Sequence, residues 1–106
     1  LAEELRAHAP RAAMTCLSAS RPSSTPPEAR IVLETCAAVE AVRGAPAVPI
    51  VQWAASDARA LRLAGFPTVE HGPGDLARVH AVDERVPVAA LEAAVAVYGR
   101  LIDAYT

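Results

Sequence analysis

The residues best placed to do chemistry lie within one short stretch of this sequence. His80 is followed by two acidic residues, Asp83 and Glu84, and is preceded by Gly-Pro-Gly at 72–74. Neutral imidazole is the commonest metal ligand in proteins, and a ligating histidine needs a carboxylate or carbonyl behind its other ring nitrogen. His80 is therefore a candidate metal ligand. Asp83 and Glu84 could orient its ring, or they could simply brace the loop.

A single histidine in a loop is more often solvated than bound to a metal. His8 and His71 have no acidic pair after them, and we interpret both as solvated. Gly72 and Gly74 predict a tight turn before His80, because glycine adopts positive φ and the proline between them stiffens the chain. A backbone without Cβ atoms would also let a substrate or a metal approach closely.

A second polar stretch has the sequence Ser-Asp-Ala-Arg at 56–59. Ser56 has the side chain of a helix N-cap, and Asp57 in the first turn would interact favourably with the helix dipole. Arg59 would then be a basic residue on the helix surface. The plainest interpretation is the start of a short helix.

Hydrophobic periodicity predicts helices and strands in alternation. Val32, Cys36, Val39 and Val42 form one stripe of a helix, and Gly44 stands where a C-terminal cap belongs. The predicted helices are 1–8, 28–43, 57–64 and 89–105, and the predicted strands are 11–19, 48–53 and 67–70. The last helix carries one apolar face made of Leu91, Val95, Tyr98, Ile102 and Tyr105. Helices alternating with strands indicate an α/β fold.

The segment 21–27 contains three prolines, which exclude both a helix interior and a central strand. We interpret it as a linker between residues 1–20 and residues 28–106. The chain of 106 residues is 53% apolar and 21% charged, a composition typical of a folded domain. The net charge of -2 and the pI near 5.9 favour neither nucleic acid nor a membrane surface as a partner.

Cys16 and Cys36 are too far apart for a Cys-x-x-Cys redox or zinc pair. The sequence has no signal peptide and no apolar run of membrane-spanning length, so we expect a reduced cytoplasmic protein. It starts at Leu1 without a methionine, inside a predicted helix. We therefore expect it to be a piece of a longer polypeptide.

Residues 56–84 resemble the C-terminal end of the di-zinc deacylase and peptidase family of acetylornithine deacetylase and succinyl-diaminopimelate desuccinylase. Members of that family end in Thr/Ser-Asp-Ala-Arg, a Gly-Ile-Pro strand, a Gly-Pro-Gly turn and His-Thr-Pro-Asp-Glu. The resemblance implies that His80 ligates one of two bridged Zn²⁺ ions, or Co²⁺ in their place, with Asp83 and Glu84 behind it. It also implies that a substrate pocket is bordered by Ser56, Asp57, Arg59, Gly72 and Gly74.

By the same resemblance, residues 1–20 are the last helix and strand of a lid or dimerisation domain. Residues 28–106 are the C-terminal part of a zinc-peptidase-like α/β catalytic domain. The implied parent is a homodimer that cleaves the amide bond of an N-acyl amino acid or a short peptide by metal-bound hydroxide. The remaining ligands and the general base are absent from this chain, so we expect no catalysis from it alone.

The sequence departs from the family pattern at two places. Ala54 and Ala55 replace a Gly-Gly pair, and their methyl groups would narrow or reshape the pocket. Ala81 and Val82 replace the Thr-Pro that follows the histidine. An alternative hypothesis is therefore an α/β binding or assembly module that kept the fold without the metal site. The residues upstream of Leu1 would distinguish the two hypotheses.

Overall fold

The computed structural model describes residues 2–52 and 54–106, and it consists of helices joined by irregular segments. The elements are α1 (Ala2–His8), α2 (Arg30–Arg43), α3 (Ala58–Leu63), a 3-10 turn (Leu76–Arg78) and α4 (Val88–Tyr105). All four predicted helices are confirmed, with ends shifted by one or two residues. Leu1, in the first predicted helix, and Trp53, in the second predicted strand, lie outside the described residues.

Helix α2 packs against α4 through the stripe that the sequence predicts. Val32 and Val39 are buried, and Ala38 beside them joins the small hydrophobic core. Gly44 ends the helix as predicted, with φ +68° and its N–H donating to the Glu40 carbonyl at 2.8 Å. The periodicity of α2 thus correctly predicts which of its faces is covered.

The face of α4 that is buried in the structure differs from the apolar face that the sequence predicts. Ala94 and Val97 are its buried residues, and Val97, only 2% exposed, packs against Ala38 and Val39 of α2. Val95 and Ile102, which belong to the predicted stripe, are 70% and 63% exposed. The apolar surface of α4 is therefore wider than α2 covers, because a single neighbour in this structure reaches only part of it.

Arg30 connects the start of α2 to the end of α4. Its guanidinium lies 4.3 Å from the centroid of the Tyr105 ring and donates a hydrogen bond to the carbonyl of Ala104. It also forms an ion pair with Glu34 at 3.6 Å. Because these groups are largely exposed, we assign the fixing of the helix pair mainly to the buried alanine and valine contacts.

The predicted α/β fold is wrong for the part of the chain that the structure describes. Residues 11–19, 48–52 and 67–70 form no strand there, and no sheet is present among the described residues. The description of 28–106 as part of an α/β catalytic domain is therefore not supported. Val48 and Val51 are 79% and 88% exposed, although their β-branched side chains are typical of a strand. A strand also needs a partner for its backbone groups.

Segment 67–70 is held by side chains instead of by a neighbouring strand. The Thr25 hydroxyl donates to the Thr68 carbonyl at 2.6 Å and accepts from the Thr68 N–H at 2.9 Å. Arg62 of α3 donates to the Ser23 hydroxyl at 3.1 Å and pairs with Glu70 at 3.7 Å. The proline-rich segment 21–27 therefore packs onto α3 and the segment that follows it. The predicted division of the chain at 21–27 stays a prediction.

Candidate functional site: the His80 loop

Residues 71–86 form one loop, called the His80 loop below, which leads into α4. The 3-10 turn Leu76–Arg78 stands at its centre, and the Asp75 carboxylate caps that turn by accepting from the Ala77 N–H at 3.0 Å. A turn over residues 78–81 follows, closed by the Ala81 N–H donating to the Arg78 carbonyl at 3.1 Å. Short local hydrogen bonds therefore define the path of the chain up to His80 and beyond it.

His80 occupies an unusual backbone conformation at the third position of that turn. Val79 has φ -62° and ψ 127°, and His80 has φ +62°. This is the geometry of a type II turn, whose third position favours glycine or asparagine. Holding another residue there costs about 1–3 kcal/mol, and such positions cluster at functional sites. The His80 side chain is exposed.

Of the acidic pair after His80, Glu84 contacts the His80 backbone rather than its imidazole. Glu84 Oε2 accepts a hydrogen bond from the His80 N–H at 3.1 Å. The Glu84 N–H donates to the Ala81 carbonyl at 3.2 Å, and Asp83 within this second turn also has φ +62°. Glu84 therefore braces the loop, and neither carboxylate is hydrogen-bonded to the His80 ring in this structure. A role for Asp83 and Glu84 in orienting that ring stays a prediction.

Of the two glycines before His80, Gly74 is the one at which a larger residue would be strained and crowded. Gly74 has φ +109°, and a Cβ atom there would lie 3.3 Å from Cγ2 of Val86. A Cβ atom on Gly72 would have no neighbour within 4 Å. The close approach of Gly74 to Val86 joins the outgoing and returning halves of the loop.

Replacing Gly74 with alanine is expected to loosen the His80 loop, whereas Gly72→Ala is the matched control. The strained φ and the crowding against Val86 together should cost about 1–2 kcal/mol, which corresponds to a factor of roughly 5–30 in the local opening equilibrium. Hydrogen exchange of the Ala77 and Ala81 amides measures that opening. Equal exchange in the two variants would show that the close approach does not hold the loop.

The Ser-Asp-Ala-Arg stretch does not form the predicted cap. Helix α3 begins at Ala58, after Asp57 in a helical conformation, and neither Ser56 nor Asp57 makes a side-chain cap hydrogen bond. The Ser56 carbonyl accepts from the Arg59 N–H at 3.2 Å, while its hydroxyl is buried without a partner. The cap prediction for Ser56 is wrong because its backbone supplies the acceptor instead. No hydrogen bond or ion pair joins these residues to the His80 loop in the described part of the chain.

His71 departs from its predicted solvated state. Its Nδ1 atom is buried without a hydrogen-bond partner, and its ring meets the Tyr98 ring edge to face at 5.7 Å between centroids. The Tyr98 hydroxyl donates to the His71 carbonyl at 2.8 Å. Sequence reasoning missed this pair, although Tyr98 on the apolar face of α4 was a signal that the loop could pack there. His8 is exposed at the end of α1, as predicted.

The described residues do not form a metal site by themselves. They contain no group of three or more histidine, cysteine, aspartate or glutamate side chains that could hold a metal ion. A zinc site in a protein normally needs three or four such ligands. His80 nevertheless fits the role of one ligand, because its imidazole is exposed and makes no hydrogen bond to the described residues while its backbone is held in two tight turns.

None of the helices in residues 2–52 and 54–106 combines the length and apolar character needed to cross a membrane.

Neither the curated proteins nor the solved structures include a match to the sequence. One family model does match: peptidase family M20/M25/M40, over residues 10–104. The match includes the whole His80 loop and the stretch 56–59. Because it spans nearly the entire sequence, this chain belongs to the M20/M25/M40 peptidase family.

Proposed function

We propose that this chain is the C-terminal portion of a metal-dependent amidohydrolase that cleaves the amide bond of N-acyl amino acids or short peptides. The observation that carries the proposal is His80, an exposed imidazole on a backbone held at positive φ, within a chain of peptidase family M20/M25/M40. The strained backbone of His80 and its imidazole, which has no hydrogen bond to the described residues, together favour a functional role over a purely structural one. The resemblance to acetylornithine deacetylase and succinyl-diaminopimelate desuccinylase supports an N-acyl amino acid as substrate.

In this proposal His80 supplies one nitrogen ligand to a Zn²⁺ or Co²⁺ ion. The ion, when bound, supplies Lewis acidity for the attack of water on the amide carbonyl. The described residues contain no group of three or more possible ligands, so we assign the other ligands and the general base to the rest of the polypeptide. Glu84 contributes indirectly, because its bond to the His80 N–H keeps the backbone in the conformation that presents the imidazole.

We place the substrate beside the His80 loop, near Gly72 and Gly74, with the stretch 56–59 at the border of the pocket. Arg59 is the residue of that stretch best suited to an amino acid substrate, since a guanidinium binds a carboxylate through two parallel hydrogen bonds. Ser56 and Asp57 would line the same border. Helix α3 has only six residues, so we assign the carboxylate to Arg59 and not to the helix start.

The domain organisation and assembly are part of the proposal. Residues 1–20 would end a lid or dimerisation domain, 21–27 would link the domains, and 28–106 would belong to the catalytic domain. We expect the parent to be a cytoplasmic homodimer that acts on small molecules rather than on nucleic acid or membranes. The net charge of -2 supports the expectation that nucleic acid and membranes are not partners. The two free cysteines, Cys16 and Cys36, support a reducing compartment.

The test is hydrolysis by the full-length polypeptide that contains these residues. N-acetyl amino acids, N-succinyl amino acids and dipeptides should be assayed with the purified protein, after chelation, and after Zn²⁺ or Co²⁺ is restored. We expect hydrolysis of one substrate class, loss on chelation and recovery with metal. A protein that neither binds zinc nor hydrolyses any of these substrates would contradict the proposal and favour a binding or assembly module.

A further inference from the structure

The start of the His80 loop is attached to the middle of α4 by one side chain. The Tyr98 hydroxyl donates to the His71 carbonyl at 2.8 Å. The two rings also meet at an interplanar angle of 88°, the edge-to-face arrangement that aromatic pairs prefer. Both contacts hold the residue from which the loop departs.

Helix α4 is a firm support for this attachment. It is the longest helix in the described part of the chain, with 18 residues, and Val97, next to Tyr98, is its most buried side chain. The other end of the loop runs through Pro87 directly into the start of α4. Both ends of the loop are therefore fixed on one helix, about 15 Å apart at 1.5 Å per residue.

Two further contacts connect the ends of the loop to His80. Gly74 lies against Val86, which closes the base of the loop. Glu84 accepts from the His80 N–H, which connects the returning half of the loop to His80 itself. The position of His80 relative to α4 thus depends on a short series of contacts that begins at Tyr98.

We infer that Tyr98 is a positioning residue for His80, because its hydroxyl and ring fix the loop that presents the imidazole to the metal. This inference rests on the proposed function for the identity of the metal. It makes a separate claim about the loop, since the attachment exists in the chain whether or not a metal binds. Tyr98 contacts His71 and not the imidazole of His80, so its effect on binding would be indirect.

The experiment compares Tyr98→Phe with Tyr105→Phe. Both variants remove a hydroxyl from the same face of α4 and keep the ring. The Tyr105 hydroxyl has no hydrogen bond to a described residue, and its ring lies under Arg30. In the full-length protein without metal, Tyr98→Phe should raise hydrogen exchange at the His80 and Ala81 amides by about 2–10-fold, the factor expected for the loss of one net hydrogen bond. Tyr105→Phe should leave both amides unchanged.

In the full-length protein, Tyr98→Phe should weaken zinc binding by a similar factor. Activity should return at saturating zinc with an unchanged KM, a rescue that general destabilisation would not give. Unchanged exchange in Tyr98→Phe would overturn the attachment. Raised exchange with normal zinc affinity would overturn the positioning role. A wild-type protein that binds no zinc would contradict both the proposed function and the role of Tyr98 in metal binding. In that case, raised exchange in Tyr98→Phe would still show that Tyr98 holds the loop.

Discussion

The proposed function predicts that replacing His80 with alanine in the full-length protein lowers the affinity for one of two metal ions by at least about 10–100-fold. Removal of a group that merely orients a ligand has effects of that size, and loss of the ligand itself should be no smaller. Hydrolysis should fall with metal occupancy, because the proposed reaction depends on the Lewis acidity that the metals would supply. Zinc titration into the metal-free protein and assay of N-acyl amino acid hydrolysis measure the two effects.

His80→Asn separates loss of the imidazole from damage to the loop. Asparagine favours the positive φ that His80 adopts, so this variant should keep both turns and still lose the ligand. His8→Ala is the clean control, since His8 is exposed on α1. His71→Ala is a second comparison. It removes the ring that meets Tyr98 but keeps the backbone carbonyl to which the Tyr98 hydroxyl donates. If His80→Asn retained two tightly bound metals and near-normal turnover, the ligand assignment would be wrong.

The isolated chain is expected to self-associate and to give a weak near-ultraviolet circular dichroism signal. Leu17, Val48 and Val51 are 93%, 79% and 88% exposed, and most of the apolar face of α4 is exposed as well. Large exposed apolar surfaces favour association, and the core between α2 and α4 is small. Sizing chromatography and circular dichroism measure both properties. A sharp monomer with a rigid tertiary signal would contradict this expectation.

Lysine substitutions at an exposed and at a buried valine test whether the exposed apolar surface causes the self-association. Val51→Lys adds a charge where the side chain is already exposed, so it should reduce association and leave the helix content unchanged. Val97→Lys buries the same charge among the apolar side chains of Ala38 and Val39, and should disrupt the helix pair. Association that persists in Val51→Lys would show that other surfaces dominate.

Local signals in the sequence predict the helices well and the remainder of the fold poorly. The stripe of Val32 and Val39 and the cap at Gly44 act within a few residues, so α2 appears as predicted. The segment 48–52 has the apolar, β-branched composition of a strand, but composition cannot supply the neighbour with which a strand must pair. For α4, the periodicity identifies an apolar face but not which part of that surface α2 covers.

The candidate site shows the same division between local and distant interactions. The turn around Gly74 and the acidic brace at Glu84 lie close in sequence to His80, and both contacts exist in the structure. The contact of His71 with Tyr98 spans 27 residues, so the sequence around His71 does not identify its partner. The cap at Ser56 was wrong because a backbone carbonyl can satisfy the same donor as a serine hydroxyl.

The most direct test of the account is the position of the metal. Crystals of the full-length protein grown with zinc should show an anomalous scattering peak about 2.0–2.1 Å from a ring nitrogen of His80, the usual distance for zinc bound to imidazole. The same peak should lose occupancy in His80→Asn. Zinc bound elsewhere in the protein, with the His80 ring pointing into solvent, would contradict the central claim that this loop presents a metal ligand.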